Sequence, residues 1–231
     1  MSRAKSAKTT DSALRAAERQ AQWERYKHAL KYSLHVITHP FDGFWDLTRE
    51  HHGTLDAATT FLILFLLTRV LKLMCTSFQF LQVAVQHINV FEEMASLLLP
   101  FLILCLANWA MTTLFEGKGR FIDIYIAMCY AMVPYVLIQL PMILVSNMLT
   151  FEEGSLYSVM LSISIIWSLF LVFVGLMQIH DYGPGKTFIF LIVTVIGACV
   201  IIFLLLTFFS LLSDAVGFFV SLYREMAFRL N

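Results

Sequence analysis

Three groups of residues in this 231-residue chain have types and spacings that could do chemistry. His35 and His39 are four apart, the interval at which a helix turns two imidazoles to one side to grip a metal ion, and His51 and His52 follow close behind. The run GPGKT, residues 183–187, resembles the end of a phosphate-binding loop. Asp181 beside His180 couples a carboxylate to an imidazole, the partners of acid–base work.

Each group is incomplete. Pro40 frays the helix immediately after His39, and no Cys or acidic residue completes a tetrahedral set, so these histidines read as solvated or interfacial. The earlier glycine of a phosphate loop would fall at His180, and no strand precedes it, which argues against nucleotide binding. Asp181 has no companion nucleophile and sits at a turn. Membrane-embedded enzymes carry paired intramembrane carboxylates, a His-Glu zinc motif or a nucleophile with a base, and none of these is found. The expectation is a chain without catalytic residues, bound metal or cofactor.

The elements that would position these groups are apolar. The chain is 59% hydrophobic and only 14% charged, with mean hydropathy +0.75, values that exclude an ordinary soluble domain and a disordered chain. Five apolar runs, 55–84, 95–115, 122–149, 157–179 and 188–212, are each long enough to cross the ~30 Å hydrocarbon core as a helix. The fold expected is all-α and polytopic, with a basic N-terminal region 1–53, a five-span membrane domain 54–212 and a tail 213–231. All four cysteines fall inside the apolar runs without metal-site or disulfide spacing, and read as small core or lipid-facing residues.

Sixteen Lys and Arg balance sixteen Asp and Glu, but nine of the cations precede Gly53. The loop after the second run holds Lys118 and Arg120, and the loop after the fourth holds Lys186, whereas the loops between hold none. By the positive-inside rule the N-terminus and these two loops are cytoplasmic, and five crossings place the tail outside. Residues 1–25 are too polar for a cleaved signal peptide, so insertion is expected to begin with the first span. Lys118, Arg120 and Lys186 then serve orientation and headgroup contact.

In the N-terminal region Trp23, Tyr26, Leu30, Leu34 and Ile37 recur at helical spacing, with Arg15, Arg19, Lys27 and Lys31 on other faces. Two readings stand: an amphipathic helix on the inner leaflet, its cations on anionic headgroups, or a helix packed on the cytoplasmic ends of the spans. Glu18 and Glu24 interrupt the basic run and no stacking platform accompanies it, which argues against nucleic acid. Pro40 ends the helix, and HPFDGFWDLTREHHG reads as a turn-rich approach to the membrane.

Inside the first apolar run Arg69 and Lys72 are anomalous, because a cation at the centre of a membrane helix costs about 2.5 to 3.5 kcal/mol. Thr76, Gln79, Val83 and Gln86 continue their rhythm as a polar stripe, and no acidic residue lies deep in any span to neutralise Arg69. Either the span ends near Val70 and the two cations snorkel to headgroups, or the stripe faces a partner subunit or a wet cavity. In the third run Pro134 and Pro141 predict a kink that frees carbonyls near Tyr130 and Leu137. Gln139, Asn108, Trp109, Ser164, Trp167 and Ser168 are expected to form interhelical hydrogen bonds in preference to a polar pocket. In the tail, Phe218, Phe219, Leu222, Met226 and Leu230 at helical spacing, with Arg224, Glu225 and Arg229 between, suggest an outer interfacial or docking helix, the alternative being a continuous extension of the fifth span, which Gly217 weakens without excluding.

Three stretches, ALKYSLHVITHPFDGFWDL, LFEGKGRFIDIYIAMCYAMVPYVL and VGLMQIHDYGPGKTF, resemble the Yip family of membrane domains, named for Ypt/Rab-interacting proteins, and in particular its short members in Gram-positive bacteria. The resemblance covers about residues 29–212 and is most specific in the 115–121 loop, the step from Tyr130 to Pro134 and the 180–186 loop. It implies five spans and a cytoplasmic N-terminus. Eukaryotic relatives act with Rab GTPases through a longer cytosolic region, so no Rab partner is expected here. Bacterial relatives of this type are often encoded beside carbohydrate permeases of the ATP-binding-cassette class. The resemblance thus implies a non-enzymatic accessory or scaffold subunit of an oligosaccharide importer in the cell membrane, with lipid, permease subunits and its ATPase as partners. Arg69, Lys72, Thr76, Gln79, Gln86, Phe218, Leu222 and Arg224 are the residues expected to meet partners. A small transporter or channel along the Arg69 stripe and the kinked span, or a lipid-binding membrane organiser, are the alternatives.

Overall fold

The computed structural model describes residues 2–50, 53–77, 79–80, 89–115 and 117–230, with side chains from residue 19 to residue 226 except that of residue 151. Among the described residues the chain is helical throughout its ordered elements. They are α1 Ser2–Thr38, α2 Pro40–Arg49, α3 Leu55–Cys75, α4 Val90–Leu114, α5 Phe121–Ala131, α6 Val133–Ser146, a 3-10 turn Phe151–Glu153, α7 Gly154–His180 and α8 Pro184–Leu230. Five segments are long and apolar enough to cross a membrane: α3, α4, α5 with α6, α7, and α8 as far as Met226. This is an all-α polytopic membrane protein.

The boundaries follow local chemistry more closely than hydropathy. The Thr54 hydroxyl caps α3 by accepting from the Ala57 amide at 3.3 Å. That helix stops at Cys75, so the first apolar run is not one helix, and residues 81–88, Val83 and Gln86 among them, lie outside the described set. Asn89 caps α4 by accepting from the Phe91 amide at 3.1 Å, which starts the helix ahead of the apolar run and places Glu92 and Glu93 in its first turn. The third span is broken at Met132, two residues before Pro134, which has no amide to give the Tyr130 carbonyl; the Met132 amide turns back to the Cys129 and Tyr130 carbonyls instead.

Two expectations for the N-terminal region need correction. The segment after His39 is not turn-rich: Pro40 occupies the first turn of α2, where its fixed φ is an advantage, and Phe44 and Leu47 of that helix are buried. In α1 the helical period holds but the phase does not. Ala29, Ser33 and Val36 face the bundle, about a quarter turn from the expected line, whereas Trp23 and Leu34 are 56% and 54% exposed. Small side chains at Ala29 and Ser33 let the helix axis come close, and the Tyr130 hydroxyl donates to the Ala29 carbonyl at 3.1 Å. The Tyr26 and Thr60 hydroxyls pair at 3.0 Å, and Tyr32 donates to Asp46 at 2.8 Å, so the second half of α1 packs on the ends of the spans.

One hydrophobic cluster runs from Ala29 and Val36 through Phe44, Phe61, Cys105, Ile124 and Tyr130 to Leu171 and Val174. The third span is its axis, 56% buried against 17% for both α4 and α8. α8 packs chiefly on α4 at the edge of the bundle, and every described residue from Ile202 to Met226 is exposed. The helix continues without a break through residue 213, so the tail is an extension of the fifth span and not a separate helix.

Candidate functional site

At the α1 end of the bundle, the two loops singled out by sequence meet one another. α7 ends at His180, whose ring is 2% exposed, and Asp181 follows in the left-handed conformation with φ 57° that turns the chain toward α8. The Gly119 amide approaches the His180 Nδ1 at 3.3 Å, and Nε2 lies 3.0 Å from the Asn108 Oδ1. With Gly119 donating, Nδ1 must accept, and Nε2 then carries the proton given to Asn108. The Asn108 amide passes the chain on to the Thr194 hydroxyl at 3.1 Å, which ties α4, α7, α8 and the 115–121 loop into one neutral network. The Tyr182 hydroxyl donates to the Phe115 carbonyl at 3.2 Å and closes the same contact from the other side.

Glycine is required here for space. Among the described residues no glycine has positive φ, but a Cβ on Gly119 would overlap Ile179 and come within 2.7 Å of the His180 ring, and one on Gly117 would meet the Thr112 carbonyl at 2.8 Å.

Over this neutral core lies an ionic one. Lys118 donates to Asp181 at 2.9 Å and Arg49 approaches the same carboxylate at 3.7 Å, joining α2 to both loops. The Lys118 hydrogen bond and charge hold the Asp181 carboxyl below its usual range, with a smaller contribution from Arg49. Because the folded value is depressed, the stabilisation is complete above the ordinary aspartate range near pH ~3.9 and is lost as pH falls through the lower folded value. Carbon-13 titration of Asp181 in detergent checks this. Lys118→Met is expected to move its midpoint up toward the ordinary value, and an unchanged midpoint would mean that the pair does not persist in solution.

The other cations have intramolecular neighbours of their own. Arg120 forks onto Asp123 at 3.0 and 3.2 Å, Lys186 sits 4.0 Å above the Tyr182 ring, and Lys27 pairs with Glu24 at 3.0 Å. Arg19 and Lys31 are exposed on α1, and the side chain of Arg15 lies outside the described residues. His35 and His39 stack at 5.0 Å, with the His39 Nδ1 3.0 Å from the Thr38 hydroxyl.

A second polar cluster forms at the opposite end. Arg69 has a carboxylate partner after all: its guanidinium meets Glu93 at 2.7 Å through both Nε and a terminal nitrogen. The expectation of a missing acid fails because Glu93, assigned to a loop by hydropathy, belongs to α4. The polar stripe dissolves as well, since Thr76 ends α3, Gln79 lies in an exposed turn beyond it and Gln86 is outside the described set. Lys72 remains on α3, 8% exposed, with its ammonium 5.6 Å from the centre of the Tyr157 ring.

Between the two ends, Gln139 donates to the Ser164 hydroxyl at 2.9 Å, while Trp109 and Trp167 are 41% and 39% exposed. Asn108 and Gln139 therefore serve separate interhelical bonds, and Pro134 and Pro141 flank the break and the interior of α6. Phe218, Leu222 and Arg224 are exposed on the α8 extension. Sequence reasoning missed the roles of His180, Thr194, Glu93 and the two loop glycines. Only Glu93 had a local signal, the Asn89 cap with acidic residues in the turn after it.

A family model described as the Yip1 domain matches residues 34–222, a range that holds both loops, the Met132 break, the first four spans and the fifth as far as residue 222. No curated protein and no solved structure matches the chain. The match takes in most of the 231 residues, and the chain belongs to the Yip1 domain family.

Proposed function

We propose that this protein is a non-enzymatic accessory or scaffold subunit, holding a larger membrane assembly together through the free part of α8. The observation that carries this reading is the mismatch between that helix and the rest of the bundle. At 1.5 Å per residue its 47 residues span about 70 Å, more than twice the ~30 Å hydrocarbon core. Past residue 209 it carries Ser210, Ser213, Asp214, Gly217, Ser221 and Arg224 on one side. Leu211, Leu212, Phe219, Leu222 and Met226 lie on the other, and all of these are exposed. An uncovered apolar face of this length calls for a protein partner or a lipid surface.

The family resemblance suggests which assembly: a bacterial oligosaccharide importer of the ATP-binding-cassette class in the cell membrane, with ATP hydrolysis done by another chain. A cytoplasmic N-terminus fits the positive-inside rule, because Arg49, Lys118, Arg120 and Lys186 gather at the α1 end. The test is mild-detergent affinity purification at native expression, with mass spectrometry of what stays bound. Stoichiometric permeases and an ATPase are expected, and Phe218→Glu with Leu222→Glu should lose them while the protein still accumulates. Recovery of the protein alone or as a homo-oligomer would overturn the reading.

A further inference from the structure

At the end of the bundle opposite α1, Lys72 is a buried cation that no carboxylate among the described residues touches. Two cations, Arg69 and Lys72, lie one turn apart on α3, and one carboxylate, Glu93, reaches Arg69. Glu93 is taken by Arg69. Of the neighbouring acids, Glu92 meets the Asn89 amide at 3.1 Å, Glu153 the Thr150 amide and hydroxyl at 3.0 and 3.1 Å, and Glu152 is exposed in the 3-10 turn before α7. Lys72 is left with the face of Tyr157 and the like charge of Arg69.

Beside this ammonium are two further polar atoms without partners. The Tyr157 and Thr76 hydroxyls neighbour one another, both are buried, and neither finds a partner elsewhere among the described residues. Both residues are more than nine-tenths buried, Tyr157 at 6% and Thr76 at 8% exposed. Buried hydroxyls that go unsatisfied cost about 1 to 3 kcal/mol each, and they are rare in folded proteins for that reason. Here two of them stand beside an unpaired cation, drawn from two different helices. Phe80 stacks on the Tyr157 ring at 5.2 Å and fixes its position, with Gly154 leaving room for the Phe80 edge.

We propose that Lys72, Thr76 and Tyr157 form a binding site for the phosphate of an anionic phospholipid headgroup. One ammonium and two hydroxyls supply donors to a phosphate diester, and its negative charge pairs with the Lys72 ammonium, which no carboxylate touches. The depth agrees. Lys72 lies three residues before the end of α3 and Tyr157 is the fourth residue of α7, each about one turn inside its helix terminus. That is the level at which lipid phosphates lie and tyrosine is enriched. This site is independent of the α8 surface and stands or falls separately from it.

Native mass spectrometry of the full chain in zwitterionic detergent, with phosphatidylglycerol or phosphatidylcholine added, tests the site. The wild type is expected to retain phosphatidylglycerol preferentially. Lys72→Met and Tyr157→Phe should each weaken that retention about tenfold, the scale of a hydrogen bond to a charged group, while Cys199→Ala, on the exposed side of α8, leaves it unchanged. Without lipid, Lys72→Met should melt no lower than the wild type, because it removes an unpaired buried charge. If that variant fails to fold, Tyr157→Phe, which keeps the ring, decides. A melting rise with inorganic phosphate in lipid-free detergent that depends on Lys72, with lipid retention that does not, would keep the phosphate chemistry and overturn the lipid as its source. Retention and melting both indifferent to Lys72 and Tyr157 would overturn the site.

Discussion

Gly119→Ala is expected to destabilise the folded bundle by about 1 to 3 kcal/mol, the range for an extra methyl forced into packed surroundings. The new Cβ would overlap Ile179 and stand 2.7 Å from the His180 ring, and those two side chains are only 4% and 2% exposed. Neither can swing into open space. Displacing the imidazole also breaks the Gly119 amide bond and strains the link to Asn108, so the loss spreads to α4 and α8. Lys118→Ala, one residue away, removes only an ion pair whose lysine is 66% exposed, worth about 1 kcal/mol or less. Thermal unfolding of both variants in one detergent checks the order. Equal melting temperatures would show that the two loops do not pack in this way.

Arg69→Leu is expected to cost about 1 to 3 kcal/mol, because it strands the Glu93 carboxylate at a site where that group is 27% exposed and has lost its charged donor. The double replacement Arg69→Leu with Glu93→Leu should recover most of that loss, since an ion pair exchanged as a whole for apolar side chains is often near neutral. A double-mutant cycle read by thermal unfolding gives the coupling directly, and its expected size is above about 0.5 kcal/mol. Strict additivity would mean that the two residues do not meet. The cycle also separates internal structure from association, because the pair joins α3 to α4 within one chain.

Much of the fold was legible because lipid imposes it. Five apolar stretches, the Pro134 break and the interhelical Gln139 bond all follow from rules that act residue by residue, and the structure bears them out. What was hidden falls into two physical kinds. Hydropathy marks where a chain is greasy and says little about where a helix stops, so the first run was carried past Cys75 and Glu93 was left in a loop. Packing phase is the other kind. Side-chain size sets how closely α1 approaches the bundle, and Ala29 with Ser33 outcompeted the larger Leu34 and Trp23 that a count of apolar residues favours.

The His180 network was hidden for a third reason, its span of chain. Asn108, Gly119, His180 and Thr194 come from four segments, with separations of 61 to 86 residues between bonded partners. No local pattern records such a meeting. The sequence resemblance nevertheless rested on the two loops that turn out to touch, so the family pattern followed the contact although it could not display it.

α8 has one further consequence, and it is mechanical. Its root is fixed at Pro184, beside the His180 network, through Thr194 and the Tyr182 and Phe115 rings around Phe190, while its last third is uncovered. α4 lies along α8 to about residue 209, so only the stretch beyond it can swing: over the roughly 25 Å of residues 210–226, a tilt of about 10° sweeps the far end through about 4 Å. A load on residues 210–226 is therefore borne first by the α4 seat and only through it by the His180 network, which holds both helices through Asn108 and Thr194.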